Sequence, residues 1–199
     1  APSHITFLLD SQLATSYLGT TLYMVLYRVA CVLSNFSERR SAMSAIPPSL
    51  RERLRSTTGS DLPSPRDGKD FVLYVLRTAF RAASNPSLEV ALRMASALGM
   101  PLVCVAVVED GVTPGRSWRP TDRAAAFRLE ALRELQPLFA ARGTVLLVQV
   151  ERDGCRAAVT MSLAFKAALV GTDEHFGVEP HATAARRLAQ AANNALWLC

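Results

Sequence analysis

Polar side chains that could do chemistry follow several apolar segments of the sequence. Arg77 comes directly after the first such segment and Glu109 after the second, while Asp173, Glu174 and His175 come after the fourth. Carboxylates beside an imidazole can carry out acid–base chemistry or hold the polar edge of a ligand. A solvated loop that ends a strand is the alternative explanation of the same residues. We predict Arg77, Glu109, Asp173 and His175 as ligand-binding positions.

Well-known motifs for phosphates, hydrolysis and metals are missing from the sequence. It has no GxGxxG fingerprint, no Walker-type phosphate loop and no GxSxG elbow, which disfavours a classical dinucleotide site and a serine hydrolase. His175 and His181 share no metal-ligand spacing with a cysteine or a third histidine. The four cysteines are far apart and lie mostly in apolar surroundings, so we predict neither a disulfide framework nor a zinc site.

Five continuous apolar runs, separated by amphipathic stretches, predict the elements that must position these side chains. Such runs are typical of strands buried on both faces of a parallel sheet, and their alternation with helices implies right-handed crossovers and helices on both faces. We therefore predict a doubly wound, Rossmann-like α/β domain, in which ligands bind at the carboxyl ends of the strands. Its five parallel strands are predicted at residues 71–76, 101–108, 144–150, 167–171 and 195–199.

Two of the predicted helices carry clear start and stop signals. Asn85 and Pro86 begin the first, since proline is favoured in a first turn, and Gly99 ends it. Thr121 is a plausible N-cap for the second, and Pro137 is expected to kink or break it. The buried side of this second helix is predicted to consist of Phe127, Ala131, Leu132, Leu135 and Leu138.

Composition divides the chain into three parts. Residues 1–42 form an apolar extension interrupted by Arg28, residues 43–70 are rich in Pro, Ser and Arg as in a flexible linker, and residues 71–199 form the α/β domain. For the extension, a surface-docking helix, a membrane anchor and non-native upstream translation all remain open. Because the chain stops inside its last predicted strand, we interpret it as a fragment or a truncated gene model. A soluble intracellular protein is favoured.

Several of these segments resemble one protein family. The strand that ends in Arg77, followed by Arg81 and by the helix start at residues 85–88, is similar to a signature of DNA photolyases and cryptochromes. Residues 127–135 resemble the Phe-Leu-x-Glu-x-Leu-x-x-Leu helix that follows the second strand of that family, and Gly143 falls in place behind it. The chain is thus identified as similar to the N-terminal α/β domain of the family. The basic stretch at residues 51–55, ahead of residues 70–74, is similar to the approach to the first strand in class II pyrimidine dimer photolyases.

This resemblance carries implications for function. It implies a domain that packs on a helical FAD-binding domain, contacts DNA only through that domain, and in some members holds a folate or deazaflavin antenna chromophore. The parent activity would be light-driven DNA repair by a carbon–carbon lyase. Because this chain lacks the length for the FAD domain, we expect it to be inactive alone, and no catalytic residue of the family carries over.

Two departures from the family pattern weaken the implied ligand contacts. Thr78 and Ala79 stand where the family has Arg-Asp, and Ser84 stands where it has Asp. The alternative interpretation is a non-enzymatic nucleotide- or partner-binding module of the same broad fold, since Rossmann-like sheets host many unrelated functions. That module would respond to an adenine nucleotide and not to folate or deazaflavin.

Overall fold

The apolar runs form the strands of a single sheet in the computed structural model. The structure describes residues 45–56, 64–108, 121–151, 159–174, 179–193 and 196–199, all within the compact unit Asn35–Cys199. The strands are β1 (Arg55–Ser56), β2 (Val72–Leu76), β3 (Leu102–Val108), β4 (Val145–Val150), β5 (Leu169–Thr172) and β6 (Leu196–Leu198). The helices are α1 (Pro48–Arg51), α2 (Pro86–Ala97), α3 (Asp122–Ala141), α4 (Val159–Lys166) and α5 (Glu179–Ala191).

Strand order confirms the predicted doubly wound α/β fold. The sheet has the order β1-β6-β5-β2-β3-β4, and β2 to β6 are parallel. The sixth strand, β1, was not predicted: it pairs antiparallel with β6 at the outer edge, with Arg55 opposite Leu198. Because the parallel strands all end at one side of the sheet, we call that side the carboxyl edge and the opposite side the amino edge.

Part of the stretch predicted as a linker is packed on the domain. Residues 45–56 contain α1 and β1, and Ile46 is only 1% exposed, within the core beside Trp197. Residues 1–42 of the predicted extension lie outside the described part of the chain, so its three interpretations stay predictions. None of the helices in the described part combines the length and hydropathy that a membrane crossing requires.

Two hydrophobic clusters cover the two faces of the sheet, because side chains of a strand alternate between faces. Val72, Tyr74 and Leu76 of β2 face the cluster that includes α2. Leu73 and Val75 face the cluster that includes residues of α4 and α5. All five residues of β2 are buried, which explains why the sequence of this central strand is a continuous apolar run with only one hydroxyl.

The helix starts follow the predicted capping residues. The Asn85 side chain accepts a hydrogen bond from the Leu88 N–H at 3.0 Å at the start of α2. Thr121 accepts one from the Ala124 N–H at 3.2 Å at the start of α3. Each cap satisfies an N–H group that has no partner within the helix.

The predicted break and buried face of α3 need correction. The helix continues through Pro137 to Ala141. Its buried residues are Leu132, Leu135 and Phe139, whereas Phe127 is 69% exposed and Leu138 is 51% exposed. Since each residue turns the helix by about 100°, the latter two lie roughly a quarter turn from the buried stripe.

A close contact between β5 and β6 makes Gly171 necessary. A Cβ atom built on Gly171 would lie 2.1 Å from Cζ2 of Trp197. Trp197 is 1% exposed, so its ring has no room to move into solvent. The absence of a side chain on Gly171 therefore sets how Trp197 packs on the sheet.

We expect Gly171→Ala to lower the free energy of unfolding by about 2 to 3 kcal/mol, since overpacking a close-packed core forces side chains and backbone to shift. Urea unfolding followed by circular dichroism measures the change. The same substitution in a Trp197→Leu background should cost clearly less. An equal cost in both backgrounds would show that the indole contact is not the reason for the glycine.

Candidate functional site

The candidate site lies at the carboxyl edge, where the direction of strand order reverses. From β2 the chain builds β3 and β4 on one side, and then β5 and β6 on the other. In open α/β sheets, ligand crevices form outside the carboxyl ends of the strands at such a reversal. The two loops that border it begin at Arg77, after β2, and at Asp173, after β5.

The Asp173 carboxylate joins these two loops. Its Oδ2 atom accepts hydrogen bonds from the backbone N–H groups of Arg77, Thr78 and Ala79 at 3.0, 3.0 and 3.1 Å. Its Oδ1 atom accepts a hydrogen bond from the Tyr74 hydroxyl at 2.7 Å. Asp173 is only 4% exposed, so four protein donors replace the water that this buried charge has lost.

A second layer of polar contacts fixes the rest of the loop after β2. The Asn85 amide nitrogen lies 3.1 Å from the Tyr74 hydroxyl, 3.2 Å from the Ala79 carbonyl and 3.0 Å from the Arg81 carbonyl. Ser84, just before Asn85, has a φ of 51°, a left-handed conformation that lets the chain turn into α2. Asn85 thus caps the helix and holds the loop at the same time.

Three successive N–H groups that converge on one point form a nest suited to an anion. In this protein the nest at Arg77, Thr78 and Ala79 is already filled by the chain's own carboxylate, Asp173. The side chains of Thr78 and Ala79 play no part in it. A ligand anion at this crevice must therefore be recognised by side chains and not by the backbone of the β2 loop.

Arginine side chains surround the crevice. Arg77 and Arg81 lie on the loop after β2, and Arg81 is exposed. Arg55 is brought to this edge by the pairing of β1 with β6, where its Nε lies 3.9 Å from a Glu174 carboxylate oxygen. The described residues of β1 and of the loops after β2 and β5 include three arginines, Arg55, Arg77 and Arg81, against two carboxylates, Asp173 and Glu174. This balance favours an anionic ligand.

The structure places the four predicted site residues as follows. Arg77 and Asp173 are in contact, but the contact is a hydrogen bond from the backbone N–H of Arg77 and does not involve its guanidinium. Glu109 and His175 lie outside the described residues, so their roles stay predictions. Tyr74 and Asn85 were not predicted as site residues. The sequence does contain a signal for Tyr74, because a hydroxyl within a fully buried strand requires a polar partner. Asp173 itself is buried and does not belong to a solvated loop.

Burial shifts two ionisable groups next to this site. It raises the pKa of the Tyr74 hydroxyl far above its usual value near 10, with the Asp173 carboxylate as a further cause. Burial also raises the pKa of the neighbouring Cys104 thiol to about 12. Both groups are neutral at physiological pH. Within the described ranges, no three His, Cys, Asp or Glu side chains are grouped so that they could hold a metal ion.

Comparisons with known proteins find solved structures of universal stress proteins that are similar to this chain. No protein-family model matches the chain, and no curated protein matches it. A universal stress protein family member from Burkholderia pseudomallei is 24% identical, covers 68% of this chain and 98% of its own, and has a TM-score of 0.40. The universal stress protein from Archaeoglobus fulgidus in complex with dAMP is 17% identical, covers 65% and 96%, and has a TM-score of 0.40. UspA from Lactobacillus plantarum is 15% identical, covers 66% and 99%, and has a TM-score of 0.43.

The predicted kinship with photolyases and cryptochromes is wrong: no family model matches the chain, and the similar structures named above are universal stress proteins. Light-driven DNA repair, the antenna chromophore and the FAD-binding partner domain lose their basis with it. The motif residues have local structural roles: Asn85 caps α2, and residues 127–135 belong to a surface helix whose Phe127 is exposed. Such signals occur in any α/β domain with capped amphipathic helices.

We expect Asp173→Ala to lower the free energy of unfolding by about 4 kcal/mol, because three backbone N–H groups and the Tyr74 hydroxyl lose their acceptor. Asp173→Asn should cost about half as much, since an amide oxygen still accepts. Urea unfolding at pH 7 measures both. Glu174→Gln, next in the chain and in a long ion pair, is the control and should change stability by less than about 0.5 kcal/mol. Equal midpoints for Asp173→Ala and Glu174→Gln would contradict the anchoring role of the carboxylate.

Alkaline pH should destabilise the fold. Above about pH 9 the unfolded chain releases the Cys104 proton while the folded state retains it, so stability falls by about 1 kcal/mol per pH unit. The raised pKa of Tyr74 adds to this loss above about pH 10. Urea unfolding at pH 7.5, 8.5, 9.5 and 10.5 measures the slope. Cys104→Ala should flatten the slope between pH 8.5 and 9.5, and an unchanged slope would rule out this thiol as its source.

Proposed function

We propose that this domain is a non-enzymatic module that binds an adenine nucleotide at the carboxyl edge of its sheet. The observation that carries the proposal is the position of β2 and β5 side by side at the reversal of strand order. The loops that leave these two strands border a crevice of the kind in which open α/β sheets bind ligands. Asp173 holds both loops in place before any ligand arrives, which lowers the ordering cost of binding.

The charges at this edge support an anionic ligand. Arg81 is exposed, and its backbone is fixed, since its carbonyl lies 3.0 Å from the Asn85 amide nitrogen. Among the described residues, Arg81 forms no ion pair. Arg55 adds a further exposed guanidinium, tied only by a 3.9 Å contact to Glu174. Guanidinium groups match the geometry of phosphate oxygens and can bind them in pairs.

Because the nest is filled, the phosphates and the nucleoside of a ligand would be bound by different groups of the protein. Because Asp173 occupies the N–H groups of the β2 loop, the phosphates of a nucleotide would rest on arginine side chains and the nucleoside on the loop surface. The buried carboxylate that the sequence offers as a base is also committed to four donors. Because both of its oxygens already accept hydrogen bonds from the protein, Asp173 has a structural role, which supports binding without catalysis.

We expect AMP or ATP at ten times its dissociation constant to raise the melting temperature by roughly 3 °C, since binding to the folded state alone adds about 1.4 kcal/mol. Folate and deazaflavin should give no shift. Arg81→Ala should weaken AMP binding about fivefold and leave adenosine binding unchanged, because only the phosphate contact is lost.

Isothermal titration calorimetry measures these affinities, with Arg133→Ala as the control because Arg133 is exposed on α3. The proposal fails if no adenine nucleotide binds. It also fails in its assignment of the phosphate contact if Arg81→Ala and Arg133→Ala bind AMP equally well.

A further inference from the structure

A cleft at the amino edge, on the opposite side of the sheet from the crevice described above, has the features of a second binding site. Its volume is about 630 Å³. It lies where the segment before β2 meets the last turns of α4 and α5. The side chains that matter for its chemistry are Arg66, Asp67, Lys69, Phe165, Gln190 and Asn193.

An ammonium group and an aromatic ring define one wall of the cleft. Lys69 Nζ lies 4.9 Å from the centroid of the Phe165 ring, a distance at which the ring quadrupole attracts a cation. Phe165 lines the cleft and is nevertheless 63% exposed, so much of its ring is open to solvent. The wall therefore offers an apolar aromatic surface directly beside a positive charge.

Arg66 holds the segment before β2 against the end of α4 and makes no contact with the Lys69 ammonium that the structure records. The Arg66 N–H donates to the Ala168 carbonyl at 2.9 Å, and its guanidinium donates to the Ala164 and Ala167 carbonyls at the end of α4. Burial lowers the pKa of Arg66, but a guanidinium remains charged at neutral pH. One terminal nitrogen of the Arg66 guanidinium thus binds two carbonyls at the end of α4.

Lys69 has no carboxylate partner among the residues that the structure describes. The cleft counts two cations, Arg66 and Lys69, against one carboxylate, Asp67. Its far wall consists of exposed amides, Gln190 and Asn193, at the end of α5. The balance of charge favours an anion, and the exposed ring favours a planar apolar group attached to it.

We propose that the amino-edge cleft binds a small aromatic carboxylate, whose ring stacks on Phe165 and whose carboxylate pairs with Lys69. Aromatic rings prefer offset-stacked or edge-to-face contacts with one another. Because Lys69 Nζ lies over the Phe165 ring, the ligand ring would contact the part of the Phe165 ring that the ammonium leaves open, and the ligand carboxylate would lie against that ammonium. An aliphatic acid would pair with the Lys69 ammonium but would not stack on Phe165. A neutral aromatic compound would stack on Phe165 but would not pair with Lys69. This site is independent of the nucleotide proposed for the carboxyl edge.

The chain offers an unusually clean test, because Lys69 and Lys166 are its only lysines. Lys166 follows Phe165 directly, is exposed, and does not line the cleft. Brief treatment with acetic anhydride, read by mass spectrometry of the peptides, reports how accessible each amine is. Benzoate in the millimolar range should slow acetylation of Lys69 at least threefold and leave Lys166 unchanged. Acetate and inorganic phosphate at the same ionic strength should protect neither.

Substitutions of Phe165 test whether benzoate binding requires an aromatic ring or only a large apolar side chain. Phe165→Tyr keeps a ring and should retain the protection of Lys69 by benzoate, whereas Phe165→Leu should weaken the benzoate affinity about three- to tenfold. Both changes are at an exposed position, so the domain stays folded, which circular dichroism checks. Equal protection of both lysines, equal protection by acetate, or full protection in Phe165→Leu would each overturn the proposal. None of these outcomes depends on whether AMP binds at the carboxyl edge.

Discussion

The buried carboxylate of Asp173 is the interaction on which the architecture of the carboxyl edge depends. A charge that is 4% exposed is stable only where donors replace its lost hydration. The donors here are three backbone N–H groups from the loop after β2 and one hydroxyl from inside β2. One side chain after β5 thereby sets the path of the chain after β2, across the reversal of strand order. The crevice is preorganised, and its most obvious anion-binding donors are already taken.

The two ends of the sheet consequently have different chemistry. At the carboxyl edge Tyr74, Asn85 and Asp173 are buried and hydrogen-bonded to one another. Arg55 and Arg81 are exposed there, which suits a ligand recognised from outside by its charge. At the amino edge Arg66 closes α4, and Lys69 rests on the exposed ring of Phe165. Both surfaces border β2, which reaches both edges of the sheet.

In this chain, residues that cap a helix or form its apolar face also match motifs of a protein family. The Asn85-Pro86 start of α2 and the amphipathic run at residues 127–135 were interpreted as marks of photolyase kinship. Both are what helix capping and helix amphipathicity require in any covered parallel sheet. Thr78 and Ala79 depart from the family pattern, and this departure weakens the ligand contacts that the resemblance implies. In the structure the two residues bind Asp173 through their backbone N–H groups only, so their side-chain types have no effect on that contact.

Residue patterns alone predict the layered α/β fold, its five parallel strands and the caps at Asn85 and Thr121, because burial on two faces and unsatisfied helix N–H groups constrain residue type locally. They also place Arg77 and Asp173 at the same edge. Four features follow only from the three-dimensional packing: Asp173 binds the backbone of Arg77, α3 turns Phe127 to the surface, residues 55–56 add a strand, and Lys69 lies over Phe165. The contacts among them join residues from 96 to 143 positions apart. They depend on main-chain donors, strand pairing or helix rotation, which side-chain patterns do not encode.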